Sequence, residues 1–83
     1  MGPSKYIVMD IAAGPTVVIF PNYVDHNMIA GDNKVLSAGY FDIFIENGKI
    51  SVTVFGASLT LHQSPQEGDD MLIAQLINHR QFE

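Results

Sequence analysis

The sequence is dominated by one predicted β-hairpin, which covers residues 34–62 and turns at Asn47 and Gly48. Asn-Gly is the strongest short-range hairpin signal, because a type I′ turn needs positive φ at both central residues. With these two residues in the turn, Glu46 pairs with Lys49, and the register of both strands follows by counting outward. The sequence therefore predicts two long antiparallel strands.

The two faces of this hairpin differ in character, since successive side chains of a strand point to opposite faces. One face is apolar throughout, with the cross-strand pairs Ile45 with Ile50, Ile43 with Val52 and Phe41 with Val54. The other face mixes aromatic and polar side chains, with the pairs Phe44 with Ser51, Asp42 with Thr53 and Tyr40 with Phe55. The first face is predicted to belong to the core.

A bend is predicted where the same count places Gly39 opposite Gly56, because neither strand has a side chain there to resist coiling. Apolar residues of the second strand stand at even positions up to Val54 and at odd positions from Ala57 onward. Such a slip by one residue is typical of a bulge. We therefore expect the second strand to continue past Gly56.

Local patterns predict the other elements. Alternating apolar residues indicate a first strand over residues 5–12, and a β-branched run indicates a second strand over residues 16–20. A first helix is predicted over residues 22–30, before Gly31-Asp32-Asn33. Ser64 and Glu67 form a capping box that predicts the start of a second helix.

The predicted element order is ββαββα, in a single α+β domain that spans residues 1–83. The economical packing is a four-stranded, mainly antiparallel sheet with both helices packed against one face. No internal repeat, linker or low-complexity segment interrupts this plan.

Composition narrows the classes of function. The 83 residues include four Lys and Arg against nine Asp and Glu, a net charge of −5. The cations form no patch, so the chain lacks the phosphate-neutralising charge that direct nucleic-acid binding needs. No apolar run approaches the roughly 20 residues of a membrane span. There is no signal-peptide pattern and no cysteine, so we expect a cytoplasmic protein.

No pattern indicates catalysis, a metal site or a cofactor. The histidines His26, His62 and His79 show neither HxH nor HxxxH spacing, and cysteine ligands are missing. The segment 56–58 lacks the second glycine of a nucleophile elbow. We expect a chain without catalytic residues, metal ligands or cofactors, and therefore not an enzyme.

The second face of the sheet is the most informative feature. If both helices cover one face, the other face exposes Tyr6, Val8, Tyr40, Phe44 and Phe55, where a solvated face would be polar. Exposed apolar patches mark interfaces, so these residues predict a protein-interaction surface, most simply that of a homodimer. Two alternatives remain: the aromatic pairs only stabilise the sheet, or one helix covers each face.

A second hypothesis places a small-ligand or metal site around His26. Asp25 precedes this histidine, and the paired glycines Gly39 and Gly56 would leave room beside it. This hypothesis belongs to a different class of function, and binding of a metal or metabolite would separate it from the first.

Two segments are distinctive in combination, the Ser-Ala-Gly-aromatic segment 37–40 and the Gly-x-Ser-x-x-Leu segment 56–61. They occur with Val18-Ile19-Phe20, Asp25-His26, Ile29-Ala30, and Ser64-Pro65 followed by Asp69 or Asp70 before Leu72-Ile73. This pattern resembles a group of small uncharacterised proteins from proteobacteria and their phages or prophages. The resemblance implies a phage or prophage origin and no established activity. If that origin holds, the expected partner is a host protein, for instance one of a bacterial defence complex, that a small acidic phage protein binds and blocks.

Overall fold

The computed structural model describes residues 3–12, 14–59 and 61–81. Its elements are β1 (Ser4–Ile11), β2 (Gly14–Phe20), α1 (His26–Ala30), β3 (Lys34–Glu46), β4 (Lys49–Phe55) and α2 (Asp69–Gln81). The four strands form one antiparallel sheet in the order β2-β1-β3-β4. The predicted α+β class and ββαββα order are confirmed.

The central hairpin has the predicted register. Every pair from Glu46 with Lys49 at the turn to Tyr40 with Phe55 is present. Asn47 and Gly48 have φ values of 52° and 77°, as a type I′ turn requires. A local turn signal was therefore sufficient to fix the pairing of two strands.

The predicted continuation of the second strand beyond Gly56 is wrong. β4 ends at Phe55, and Gly56 has a φ of 72°, which turns the chain away from the sheet. The next residues bond among themselves, since the Ser58 N–H donates to the Gln63 carbonyl over 2.8 Å. The pairing of β3 with β4 ends at Tyr40 and Phe55, so Gly56 is not a strand partner of Gly39.

The two helices lie on opposite faces of the sheet, which corrects the expectation that both cover one face. Beneath α2, Ile73 packs in one core cluster with Tyr6, Val8, Phe41 and Val52. Beneath α1, Ala30 packs in a second cluster with Ile7, Met9, Phe20 and Ala38. The physical reason lies in the central strand β1, which is apolar and buried on both faces and needs a cover on each.

Both helices begin later than predicted. α1 begins at His26, and its N-cap residue Asp25 makes no side-chain capping bond. α2 begins at Asp69, after Gly68 with a φ of 94°, so Ser64 and Glu67 do not form a capping box.

Asp69 joins the start of α2 to the middle of the sheet. Its Oδ2 accepts a hydrogen bond of 2.6 Å from the Tyr6 hydroxyl and one of 2.9 Å from the Gln66 N–H. Tyr6 is fully buried and Asp69 is almost so. A buried charge-assisted bond of this kind is among the stronger single interactions in a domain. It fixes where α2 lies on the sheet.

Alkaline pH is expected to break this contact. Burial, then the hydrogen bond to Asp69, raises the pKa of Tyr6 well above its ordinary value of about 10. The contribution to stability is complete below pH 10, and it is lost as the pH rises from 10 towards the folded-state pKa, by up to about 1.4 kcal/mol per pH unit. Urea unfolding across this range should show a steeper decline for the wild type than for Tyr6→Phe. Parallel declines would contradict the assignment.

Candidate functional site

The outer half of the central hairpin extends beyond the core. Buried hairpin residues stop at Phe41 and Val52, and the cluster beneath α2 includes neither Ile43 nor Ile45. These two isoleucines are 51% and 76% exposed. The expectation that the whole apolar face is core is therefore wrong. α2 covers this face at Phe41 and Val52 but does not reach Ile43 and Ile45.

Large apolar side chains are also exposed on the other face of the hairpin. Phe44 is 43% and Phe55 is 38% exposed. The Tyr40 ring stacks on Phe55 with centroids 6.1 Å apart and ring planes 20° apart. We use the term hairpin surface for Tyr40, Ile43, Phe44, Ile45 and Phe55. Apolar groups therefore lie on both sides of one projecting ribbon.

Two of the predicted interaction residues do not belong to this surface. Tyr6 and Val8 are buried beneath α2, with exposures of 0% and 3%. Lys5 pairs with Tyr40, so Tyr6, its neighbour in β1, lies on the opposite face of the sheet. The expected five-residue patch on one face is corrected to three of its members, Tyr40, Phe44 and Phe55.

The hairpin also supplies an edge of the sheet. β4 is the last strand in the order β2-β1-β3-β4, and within the described ranges no strand pairs with its outer side. Unpaired N–H and C=O groups of an edge strand can pair with a strand of another chain. Phe55 belongs to β4, and the exposed residues Ile43, Phe44 and Ile45 belong to β3 beside it. The exposed apolar groups therefore lie next to this edge.

A small cleft lies at the inner end of the hairpin, on the side of α1. We use the term His26 cleft for this space of about 200 Å³, which is lined by Lys5, Asp25, His26, Tyr40, Ala57, Ser58 and Leu59. His26 is 4% exposed, and its Nε2–H donates to the Gly39 carbonyl over 2.9 Å. Its ring meets Phe20 and Tyr40 edge-on, at centroid distances of 5.3 and 5.7 Å. The imidazole is therefore held in one orientation.

Gly39 and Gly56 both allow neighbouring groups to approach more closely than a side chain would permit. A Cβ on Gly39 would lie 2.8 Å from the Phe55 carbonyl oxygen and 2.8 Å from Pro65 Cγ. A Cβ on Gly56 would lie 2.8 Å from Tyr40 Cδ1. The residues of the second hypothesis, His26, Gly39 and Gly56, are thus brought together, although the two glycines are not cross-strand partners.

Lys5 is a cleft residue that was not among the predicted site residues. Because side chains alternate along β1, Lys5 lies on the same face as Ile7, which packs beneath α1. The alternation of side chains was therefore the one sequence signal that could have placed Lys5 near His26. Its Nζ donates to the Val24 carbonyl over 2.9 Å and lies 5.8 Å from the centroid of the Tyr40 ring. A cation therefore stands beside the cleft.

The described part of the chain offers no metal site and no membrane-spanning helix. No three His, Cys, Asp or Glu side chains converge there. None of the helices in this part has the length and apolar character needed to cross a membrane. The predicted His26 site therefore has no visible metal-ligand set.

An apolar groove of about 750 Å³ lies between β2 and α2. It is lined by Pro15, Thr16, Val17, Leu72, Gln75, Leu76 and Asn78. None of the sequence-predicted site residues borders it. It provides a second surface against which the role of the hairpin can be tested.

No protein-family model, curated protein or solved structure matches this chain. The resemblance to small phage-associated proteins therefore stays a prediction. Its two most distinctive segments, 37–40 and 56–61, do meet in the structure, because Tyr40 packs against Gly56.

Proposed function

We propose that this protein is a non-enzymatic protein-interaction module that binds through the hairpin surface, both to a second copy of itself and to a host protein. The observation that carries the proposal is the exposure of Ile43, Phe44, Ile45 and Phe55 on one projecting ribbon. Singly scattered apolar residues are normal on a protein surface, whereas contiguous ones are associated with interfaces.

The geometry of the hairpin suits self-association. Two β4 edges that pair antiparallel about a twofold axis would join two sheets into one, and each copy would contribute the same residues. Phe55 belongs to the pairing strand and Phe44 to the strand beside it, so both would add apolar area to the interface, where aromatic residues are enriched. A chain of this size gains stability from such burial, since small domains have limited cores.

The charge of the chain bears on the second partner. A net charge of −5 favours encounter with a basic protein surface through long-range attraction. We propose a phage or prophage protein that acts in the host cytoplasm by covering a host protein, for instance one of a defence complex. Nucleic acid and membrane are not the proposed partners, and no catalytic step is required.

Replacing Phe44 and Phe55 together by serine should abolish self-association. Light scattering should give the mass of a dimer for the wild type and of a monomer for the double variant, because the variant loses the apolar centre of the interface. Met71→Ser is the matched control, since Met71 is 63% exposed but lies on α2. A double variant that keeps the dimer mass and captures the same host proteins would contradict the proposal.

A second candidate function is a small-ligand site at His26. One observation favours it: His26 lines the His26 cleft and donates a hydrogen bond to the Gly39 carbonyl, and Gly56 packs against Tyr40, which also lines the cleft. A thermal-shift screen with metals and metabolites tests it, and His26→Ala should remove any stabilisation that is found. A screen without any stabilising compound would count against this candidate.

A further inference from the structure

Lys5 is a buried cation without a counter-ion. Its side chain is only 9% exposed, and among the described residues no carboxylate forms an ion pair with it. Its one hydrogen bond goes to a neutral group, the carbonyl of Val24. The ring of Tyr40 lies nearby and adds a weak attraction.

Such a setting is energetically costly. An ammonium has three donors, and the protein satisfies only one of them here, through the Val24 carbonyl. Buried charges in proteins are therefore usually paired with an opposite charge or bound to a ligand. Since Lys5 lines the His26 cleft, an anion that enters the cleft would supply the missing charge.

His26 presents an acceptor to the same cleft. Gly39 offers only a carbonyl oxygen, so Nε2 carries the proton of that bond, and Nδ1 is the ring nitrogen that can accept one. No buried side-chain nitrogen or oxygen of the described residues lacks a partner, and His26 makes no further bond among them. Nδ1 is therefore not fully buried, and His26 is one of the residues that line the cleft.

The other walls limit the charge and size of a ligand. Asp25 lines the cleft and would repel a dianion, so a single negative charge fits better than a phosphate. Ala57 and Leu59 add apolar surface. A volume of about 200 Å³ is below the usual range for drug-sized ligands, which suits a very small molecule or the end of a chain.

We propose that the His26 cleft binds a monocarboxylate that carries a hydrogen-bond donor next to the carboxylate. The carboxylate would contact Lys5, and the donor would contact Nδ1 of His26. Two sources share this chemistry: a small free hydroxy acid, and the C-terminus of a partner chain, whose last N–H is adjacent to its carboxylate. The proposal does not depend on the hairpin surface, because a free acid can be tested without any partner.

The test is a titration of the full chain with sodium lactate, sodium propionate and N-acetylglycine at about pH 8, followed by ¹⁵N NMR. Sodium chloride at equal ionic strength is the control. Lactate and propionate differ only in the hydroxyl, so lactate should bind at least several-fold more tightly. It should shift the Nδ1 resonance of His26 and the amides of Tyr40 and Ser58 in a saturable way. Tighter binding of N-acetylglycine than of lactate would identify the C-terminus of a partner chain as the ligand. Tighter binding of lactate would identify a free hydroxy acid.

Lys5→Met removes the charge and keeps the length of the side chain, and lactate binding should weaken at least tenfold. Lys34→Met, at an exposed lysine of β3, should leave binding unchanged. If Lys5→Met does not fold, the comparison of lactate with propionate on the wild type still decides. Equal affinities for the two acids, an unchanged affinity of a folded Lys5→Met, or no saturable shift with any of the acids would overturn the proposal.

Discussion

Gly39→Ala is expected to destabilise the protein by about 3 kcal/mol, which is at the upper end of the range for overpacked sites. The added methyl group would lie 2.8 Å from the Phe55 carbonyl oxygen and from Pro65 Cγ. A backbone oxygen cannot rotate away as a flexible side chain can. The strands β3 and β4 would have to separate, or the segment that carries Pro65 would have to move outward.

The same substitution should also disturb the His26 cleft, because the Gly39 carbonyl accepts the bond from His26. Gly48→Ala is the matched control: Gly48 has a φ of 77°, with open space around its Cβ position, and should cost about 1 kcal/mol from backbone conformation alone. Urea unfolding of both variants measures the difference. Equal losses would show that close packing at Gly39 does not limit stability.

Asp69→Ala should have the second large effect, a loss of about 3 kcal/mol. It leaves the buried Tyr6 hydroxyl and the Gln66 N–H without their acceptor, and an unsatisfied buried group costs more than the net value of its bond. Tyr6→Phe should cost less, about 1.5 kcal/mol, because Asp69 keeps its bond from Gln66. Asp70→Ala changes the neighbouring acidic residue of the first turn and should cost under about 1 kcal/mol.

A double-mutant cycle isolates the bond between Tyr6 and Asp69. Because Tyr6→Phe removes the group that Asp69→Ala leaves unsatisfied, the double variant should lose clearly less than the sum of the two single losses. Free energies of unfolding from urea denaturation supply all four corners of the cycle. Strict additivity would mean that the hydrogen bond does not couple β1 to α2.

The parts of the fold that local chemistry determines could be predicted from the sequence. The turn at Asn47 and Gly48 needs only its own backbone conformation, so it gave the register of β3 and β4 correctly. That each face of β1 needs a cover follows from its apolar residues 6–9, but which helix covers which face is set by contacts between distant residues. The start of α2 depends on Tyr6, a residue far away in the sequence.

The candidate site could be predicted in part for the same reason. The hairpin register determines which side chains share a face, and it correctly placed Tyr40, Phe44 and Phe55 on one face. Tyr6 and Val8 were placed with them incorrectly, because no turn joins β1 directly to β3 and the register of this pair has no local signal. Tyr6 pairs with Gly39 and Val8 with Ser37, on the opposite face from Tyr40. Lys5 was missed because a lone lysine at the start of a strand gives no sign that a helix will bury it.

The most direct test of the proposed function is an NMR dilution series on the wild type, from about 1 mM to about 20 µM, a range that brackets weak to moderate dimers. Amide shifts that change with concentration should map to β4 and to the hairpin surface, including Phe44 and Phe55. Shifts confined to the groove between β2 and α2 would contradict the account, and so would spectra and diffusion rates of a monomer at every concentration.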